Sequence, residues 1–556
     1  MLKLYDRYID ETFDADGILT GLQLHCPDTY NFAFDIVDKR AEDTPDAPAL
    51  MWVNEAGEER RFTFGEIKTY SDKAANLLAG LGVKKGDKVM LILKRHYQFW
   101  FALTACHKIG AVAIPATHLL TARDVVYRCT AADISGIICT ADDDIAAHVD
   151  AALPECPSVR FKMMAFGSER ARTKGLPDGW QNFDEELENA PAGFARGETS
   201  AHDPMLLYFT SGTTGHPKMV WHDQTYSLGH ISTARHWHNC QPGGLHLTVA
   251  DTGWAKAVWG KYYGQWIMGS AIFVYDYDRF HPAEMLNILS KYKVTTFCAP
   301  PTIFRFFIQE DLSNFNLSCL QYVTTAGEAL NPEVYNRFLE GTGLKMMEGF
   351  GQTECTVLVF NSVGMTARPG SMGRPNPQYI MDIVDENGQP VPPGTTGEIV
   401  VHTDREKPFG LFLGYYRDEA LTDRVWHGGL YHTGDTAWKD EDGYYWYVGR
   451  TDDIIKSSGY RIGPFEIESV LMEHPAVMEC AITGVPDPIR GQVVKATVVL
   501  AKGYMASEEL KKELQEHVKK QTAPYKYPRV IEFVAELPKT ISGKIRRVEI
   551  REGDGK

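Results

Sequence analysis

Tyr208-Phe209-Thr210-Ser211-Gly212-Thr213-Thr214-Gly215-His216-Pro217-Lys218 joins an apolar run, which begins at Met205, to a loop of hydroxyls and glycines. The run reads as a buried strand, and the loop after the carboxyl end of such a strand is where open α/β sheets bind ligands. A polyphosphate needs several donors converging on one set of anionic oxygens. Glycines let backbone N–H groups approach closely, the hydroxyls add donors, and Lys218 adds a point charge. This is not the P-loop pattern G-x-x-x-x-G-K-[ST]. Pro217 stands where that motif has its second glycine, and Met219 where it has Ser or Thr. Taken alone, an S-G-T-T-G segment fits an ordinary surface turn equally well.

On either side of the loop, apolar strands alternate with helical periodicity. Residues 89–93, 111–114 and 134–139 read as strands, and residues 99–109 as an apolar helix. Beyond the loop, residues 295–299 and 320–325 continue the series. Such alternation implies parallel sheets covered on both faces, an α/β fold with two doubly wound sheets. The first sixty residues read as a cap packed on these layers. From about residue 380 to 448 short strands are punctuated by Asp385-Glu386-Asn387-Gly388, Pro392-Pro393-Gly394 and Asp440-Glu441-Asp442-Gly443, which predicts a small β-rich subdomain. A polar break at Thr451-Asp452-Asp453 separates this from an α+β pattern that includes a helix after Ser507, a suitable N-cap. The expected division is a large N-terminal domain, residues 1–451, and a small C-terminal domain, residues 452–556.

At 556 residues the chain is too long for one core. Its 44% hydrophobic and 23% charged content is that of a globular protein. A net charge of −16 argues against nucleic acid or an anionic membrane as the main partner. The ten cysteines form no C-x-x-C pair, so neither a zinc site nor a disulfide framework is expected. No signal peptide and no run long enough for a membrane-inserted helix is visible, which predicts a cytoplasmic protein, or one of the mitochondrial matrix in a eukaryote.

The loop keeps company with Thr325-Ala326-Gly327-Glu328-Ala329, Glu348-Gly349-Phe350-Gly351-Gln352-Thr353-Glu354, Tyr431-His432-Thr433-Gly434-Asp435 and Gly449-Arg450-Thr451-Asp452. Ser457-Ser458-Gly459-Tyr460-Arg461 and Pro538-Lys539-Thr540-Ile541-Ser542-Gly543-Lys544 complete the series. In order and spacing these segments resemble the core motifs of the adenylate-forming superfamily, from about Phe62 onward. Asp251-Thr252-Gly253-Trp254-Ala255-Lys256 brings the chain nearest to its medium-chain acyl-CoA synthetase branch.

The resemblance implies an AMP-forming acid–CoA ligase using ATP, Mg²⁺ and CoA, with a mobile C-terminal domain and room for a homodimer. Thr210, Ser211, Gly212, Thr213, Thr214 and Lys218 would hold the phosphates. Gly327, Glu328, Ala329, Gly349, Phe350, Gly351 and Gln352 would line the nucleotide pocket, with Phe350 against adenine and Asp435 and Arg450 on the ribose. Thr353 would meet the α-phosphate, and Glu354 would hold Mg²⁺, a metal that favours one or two carboxylates plus phosphates. Lys544 would bridge the carboxylate and α-phosphate during adenylation. Asp452 would be the hinge that later brings Ser458, Gly459, Tyr460 and Arg461 to CoA. Such a reaction joins two anions, so it demands positioning and positive charge more than acid–base chemistry.

Trp254, Ala255, Lys256, Ala326 and Gly351 would form the acyl pocket. In acetyl-specific relatives the residue before the Q-T-E glutamine is a tryptophan, and here it is Gly351. Small residues at these positions predict a pocket for a medium-length, branched or aryl acid, with Lys256 as its one awkward charge. The other enzyme reading is a stand-alone adenylation enzyme that loads a carrier protein. A light-emitting oxygenase and a non-enzymatic nucleotide binder share the scaffold but have no motif in their favour.

Overall fold

The computed structural model describes residues 3–210, 217–405, 407–458, 460–539 and 545–554. The first sheet has seven strands, in the order Lys218–Asp223, Pro204–Thr210, Val112–Pro115, Lys88–Ile92, Ile134–Thr140, Phe161–Ala165 and Gln181–Asn182. All of its neighbours are parallel except the edge pair Pro204–Thr210 and Lys218–Asp223, which are antiparallel in the register Thr210↔Lys218. The polar loop therefore connects two adjacent strands at one end of the sheet.

The second sheet has a parallel centre of Pro48–Asn54, Ala271–Asp276, Leu245–Thr248, Thr296–Ala299, Tyr322–Thr325 and Met346–Gly351. One expectation is corrected here. Pro48–Asn54 belongs to this sheet and pairs with Ala271–Asp276, so the first sixty residues are more than a cap. The β-rich segment is continuous with the same sheet. Met346–Gly351 pairs antiparallel with Val357–Phe360, then Ser371–Pro375, then Tyr445–Arg450, so one ladder of fourteen strands runs into the β-rich region. The cause is the tight reversal at Gln352–Thr356, which folds the chain back onto the edge of the parallel strands.

Between the two sheets lies the helix Gln98–Ile109, apolar on almost every face, as a helix enclosed in a core must be. Trp100 Nε1 donates to Lys261 O at 2.7 Å, and the Thr104 and Tyr262 hydroxyls hydrogen-bond at 2.7 Å, which ties this helix to the segment before Tyr263–Met268. One buried cluster extends from Val89 and Leu91 through Trp100 and Leu103 to Ile272 and Val274. The sheets therefore share a core, which fixes their strand ends relative to each other. Helix starts follow local chemistry. Thr63 and Thr121 form reciprocal capping boxes with Glu66 and Asp124, and the Ser507 hydroxyl accepts from Leu510 N at 3.1 Å.

The smaller C-terminal part is a five-stranded sheet built on the hairpin Val477–Asp487 and Gly491–Leu500 and backed by the helices Pro464–Met472 and Glu508–Gln521. Asn331 Nδ2 donates to Ser469 O at 3.1 Å, joining this part to the large one.

Candidate active site

The turn between Met346–Gly351 and Val357–Phe360 gathers most of the predicted residues. Thr353 and Glu354 occupy it, held from two sides. His222 Nε2 donates to Thr353 O at 2.8 Å, and Phe412 N donates to Glu354 O at 2.8 Å. The His222 ring stacks on Tyr226 with centroids 3.8 Å apart. Burial pushes its pKa down to about 3, so it stays neutral at working pH and keeps its Nε2 proton for the carbonyl. Lys218 and His222 lie four residues apart on one strand, so a single strand carries Lys218 and also reaches the Thr353 backbone.

Glu354 Oε1 accepts from the Tyr415 hydroxyl at 2.8 Å, and Lys218 Nζ lies 5.2 Å from the Tyr415 ring centroid. Burial pulls the Lys218 ammonium below its ordinary pKa, and the Glu354 carboxylate opposes that pull. A lysine this desolvated is a strong partner for an anion that displaces the remaining water.

Asp435 and Arg450 face each other across neighbouring strands in direct register. Asp435 is 4% exposed. Its Oδ1 accepts from the Tyr447 hydroxyl at 3.0 Å, and its Oδ2 accepts from Gln352 Nε2 and lies 3.6 Å from Arg450. Gln352 is itself oriented, because Tyr431 donates to its Oε1 at 2.6 Å. These partners hold the carboxylate in one orientation beside Arg450. Burial disfavours the Arg450 charge, but Asp435, Asp452 and Glu354 outweigh it and raise the guanidinium pKa. Phe350 lies 6.2 Å from Tyr447, tilted by 36°, and with it makes an aromatic wall beside Asp435.

The opposite face of Met346–Gly351 carries Gly349 and Gly351. A Cβ on Gly349 would lie 2.6 Å from Trp237 Cε2, and a Cβ on Gly351 would lie 2.4 Å from Trp259 Cη2. Only glycine lets these two indoles reach the strand. The expectation that Gly351 leaves open space is corrected by this contact, because Trp259 reaches across from the helix Ala255–Lys261 to cover it. Trp259 Nε1 donates to the Tyr226 hydroxyl at 3.1 Å, and Trp237 Nε1 donates to Met347 O at 2.9 Å. Trp254 caps the same helix, followed by Ala255. Lys256 Nζ donates to Ala326 O at 2.6 Å, so its charge is turned to a backbone carbonyl. Gly327, with φ +105, follows in a conformation that L side chains rarely adopt. The Glu328 carboxylate accepts from Thr302 Oγ1 at 3.0 Å and Arg305 at 3.1 Å, and Ala329 follows it.

The structure therefore brings Lys218, Gly349 to Glu354, Asp435 and Arg450 together. It gives other partners to the residues expected at CoA. Arg461 pairs with Glu386, Tyr460 stacks on Tyr525 at 3.9 Å, and Ser458 accepts from Arg490 at 3.2 Å. Asp452 lies 3.6 Å from Arg450. Thr210 ends its strand, whereas Ser211, Gly212, Thr213, Thr214, Gly459 and Lys544 lie outside the described residues. Sequence reasoning missed His222, Tyr415 and Tyr447, whose contacts no local pattern marks, and gave no role to Tyr431 although it opens the quoted Tyr431–Asp435 segment.

One buried acid beside the site supports a stability test. Leu330 N donates to Glu348 Oε1 at 3.1 Å, and burial pushes the carboxyl from 4.5 up to about 8. Below the lower value both the folded and unfolded chains hold the proton. Between the two values only the folded chain holds it, so this stabilisation is lost as pH rises through that window. Glu348→Gln is expected to raise Tm by several degrees at about pH 8.5 and little at about pH 5. Equal shifts at both pH values in thermal melts would refute this assignment.

Residues 37–416 match the family model of AMP-binding enzymes, and residues 466–544 match the AMP-binding enzyme C-terminal domain. The human mitochondrial acyl-coenzyme A synthetase ACSM5 is 44% identical over 545 residues, covering 96% of this chain and 92% of that protein. The human mitochondrial acyl-coenzyme A synthetase ACSM3 is 42% identical over 550 residues, covering 97% and 92%. Among solved structures, the anthranilate CoA ligase AuaEII in complex with anthranoyl-AMP superposes with a TM-score of 0.86 at 27% identity, covering 95% of this chain and 98% of that one. The Brucella canis acyl-CoA synthetase gives 0.72 at 31% identity, covering 96% and 95%. No helix among the described residues is long and apolar enough to cross a membrane. With Lys218, Asp435 and Arg450 gathered around the hairpin turn that carries Gly349 to Glu354, the chain belongs to the family of AMP-binding enzymes and is an acyl-CoA synthetase, joining a carboxylic acid to CoA with ATP.

Proposed function

We propose that the acid is of medium length, branched or aromatic, and that two half-reactions share one site. In the first, a carboxylate oxygen attacks the α-phosphorus of ATP and the bond to pyrophosphate breaks. In the second, the CoA sulfur attacks the acyl carbonyl carbon and AMP leaves.

The observation that carries the acid assignment is the Trp259 indole lying over Gly351, with Trp237 over Gly349. These rings place flat, apolar surface against the strand that leads into the Gln352–Thr356 turn, and Lys256 Nζ is turned to Ala326 O. Flat walls suit alkyl or aryl groups. Two of the structural relatives are ligases named for the aryl acids anthranilate and benzoate.

Lys218 and the preceding hydroxyl loop would receive the phosphates, and Thr353 would donate to the α-phosphate. Asp435 would bind the ribose hydroxyls, and Phe350 would pack on adenine. Glu354 fits Mg²⁺, because its Oε1 is fixed by Tyr415 and the ion takes few carboxylates when phosphates are present. Bound there, Mg²⁺ would neutralise phosphate charge. Lys544 would supply the positive charge that brings the two anions together. Asp452 would be the hinge between residues 1–451 and 452–556, and Ser458 to Arg461 would serve CoA after rotation. The ten cysteines, all free, suit a reducing compartment such as cytoplasm or mitochondrial matrix.

A panel from acetate to dodecanoate, with branched and aromatic members, tests the acid assignment through CoA-dependent AMP release. The highest kcat/KM is expected beyond propionate. A maximum at acetate would overturn it.

A further inference from the structure

Two neighbouring acids at the junction between the parts of the molecule face different ways. Asp452 is 44% exposed and lies 3.6 Å from Arg450 Nε, on the side of the ribose residues. Asp453 is 12% exposed and turns toward the last helix, Arg547–Asp554. Its Oδ1 lies 2.5 Å from Arg551, and its Oδ2 lies 3.7 Å from Arg547. Arg547 in turn donates to both oxygens of Glu468, at 2.6 and 2.7 Å. Glu468 is 5% exposed, and its Oε1 also accepts from Ile482 N at 2.8 Å.

The first turn of the last helix is thus braced by two acids. Asp453 is on the chain that crosses between the parts, and Glu468 is on the helix Pro464–Met472 and is itself held by Ile482 N of the strand Val477–Asp487. The far end of the helix is tied by the Asp554 pair with Lys495. Both bonds leave from one guanidinium nitrogen, Nη2, to a buried carboxylate, and hydrogen bonds between two charged groups are stronger than neutral ones. Removing one partner leaves the other charged and desolvated.

Arg547 follows Lys544 by three residues, a span of no more than about 10 Å of chain. We propose that Asp453 and Arg547 are positioning residues for adenylation. They hold the start of the last helix against the crossing segment, and so anchor the described end of the chain that follows Lys544 in sequence. The inference rests on the reading of Lys544 as the adenylation lysine. It adds that the second acid of the pair does a different job from the first.

The test is Asp453→Asn, Arg547→Met and Arg547→Lys in the full-length enzyme. Each half-reaction is measured separately, as acid-dependent ATP–pyrophosphate exchange and as conversion of synthetic acyl-AMP to acyl-CoA. D453N and R547M are expected to lower the kcat of exchange by about tenfold to a hundredfold, the usual cost of a small misplacement. KM for ATP and the transfer of acyl-AMP to CoA should stay within about twofold, and R547K should recover most of the loss. A purely structural brace would instead lower Tm and both half-reactions together, and that result overturns the proposal. Should R547M not fold, Arg551→Gln removes the second arm of the Asp453 clamp and carries the same expectation. Lys544→Ala is run beside these variants. If it keeps exchange, the Lys544 reading fails. If it loses exchange while D453N and R547M keep it, only the present inference fails.

Discussion

Lys544→Ala is expected to lose acyl-adenylate formation by about 10²–10³-fold while still converting preformed acyl-AMP to acyl-CoA. The asymmetry follows from charge. The first half-reaction presses a carboxylate against an anionic phosphorus, so it needs a cation between them. The second presents a thiol to a carbonyl carbon whose leaving group is already in place. A long stem ending in a compact ammonium suits the first task. The lost interaction belongs to the transition state, so the effect should fall on kcat with little change in KM for ATP. Pyrophosphate exchange and single-turnover acyl transfer measure the two halves. Equal losses in both would contradict a role confined to adenylation.

Gly351→Trp alone is expected to cost about 10²-fold or more on every acid, because a Cβ at that position would lie 2.4 Å from Trp259 Cη2 and 2.5 Å from Thr356 O. The strand would have to shift, and Thr353 and Glu354 would shift with it. Trp259→Gly does the reverse and opens space over Gly351, so the preferred acid should lengthen. Each further buried methylene is worth about 0.8 kcal/mol, close to fourfold in binding. Loss of the ring costs about 3–5 kcal/mol of stability, so activity is compared below the variant's Tm. The double variant moves the indole from residue 259 to residue 351 and should favour short acids. An unchanged chain-length profile in Trp259→Gly would show that this ring does not set the depth.

Much of this was legible in the sequence because the residues expected at phosphate and ribose sit on local patterns. A strand followed by glycines and hydroxyls, a Q-T-E turn, and a T-G-D turn paired with a later arginine each read as ordinary turns alone, and only their order along the chain points to the family. Contacts between distant residues do not. His222 reaches Thr353 from 131 positions away, and nothing around a lone histidine in a strand says what it will meet. Gly351 shows the limit most plainly. An absent side chain reads as open space in one dimension, whereas in three another element had filled it with Trp259. Pro48–Asn54 went unseen as a sheet strand for a related reason, since its parallel partner Ala271–Asp276 lies more than two hundred residues later and gives it no local signature.

Distance measurement between spin labels in the two parts tests the two-orientation mechanism most directly. Suitable sites are Leu176 and Ile489, both exposed, labelled through unnatural amino acids because native cysteines are present. One sample holds a non-hydrolysable acyl-AMP analogue, and the other holds AMP with CoA. Two distinct distance distributions, one for each ligand state, are the expected result. A single distribution common to both, in an enzyme that still turns over, would contradict rotation about Asp452 as the means by which one site serves both reactions.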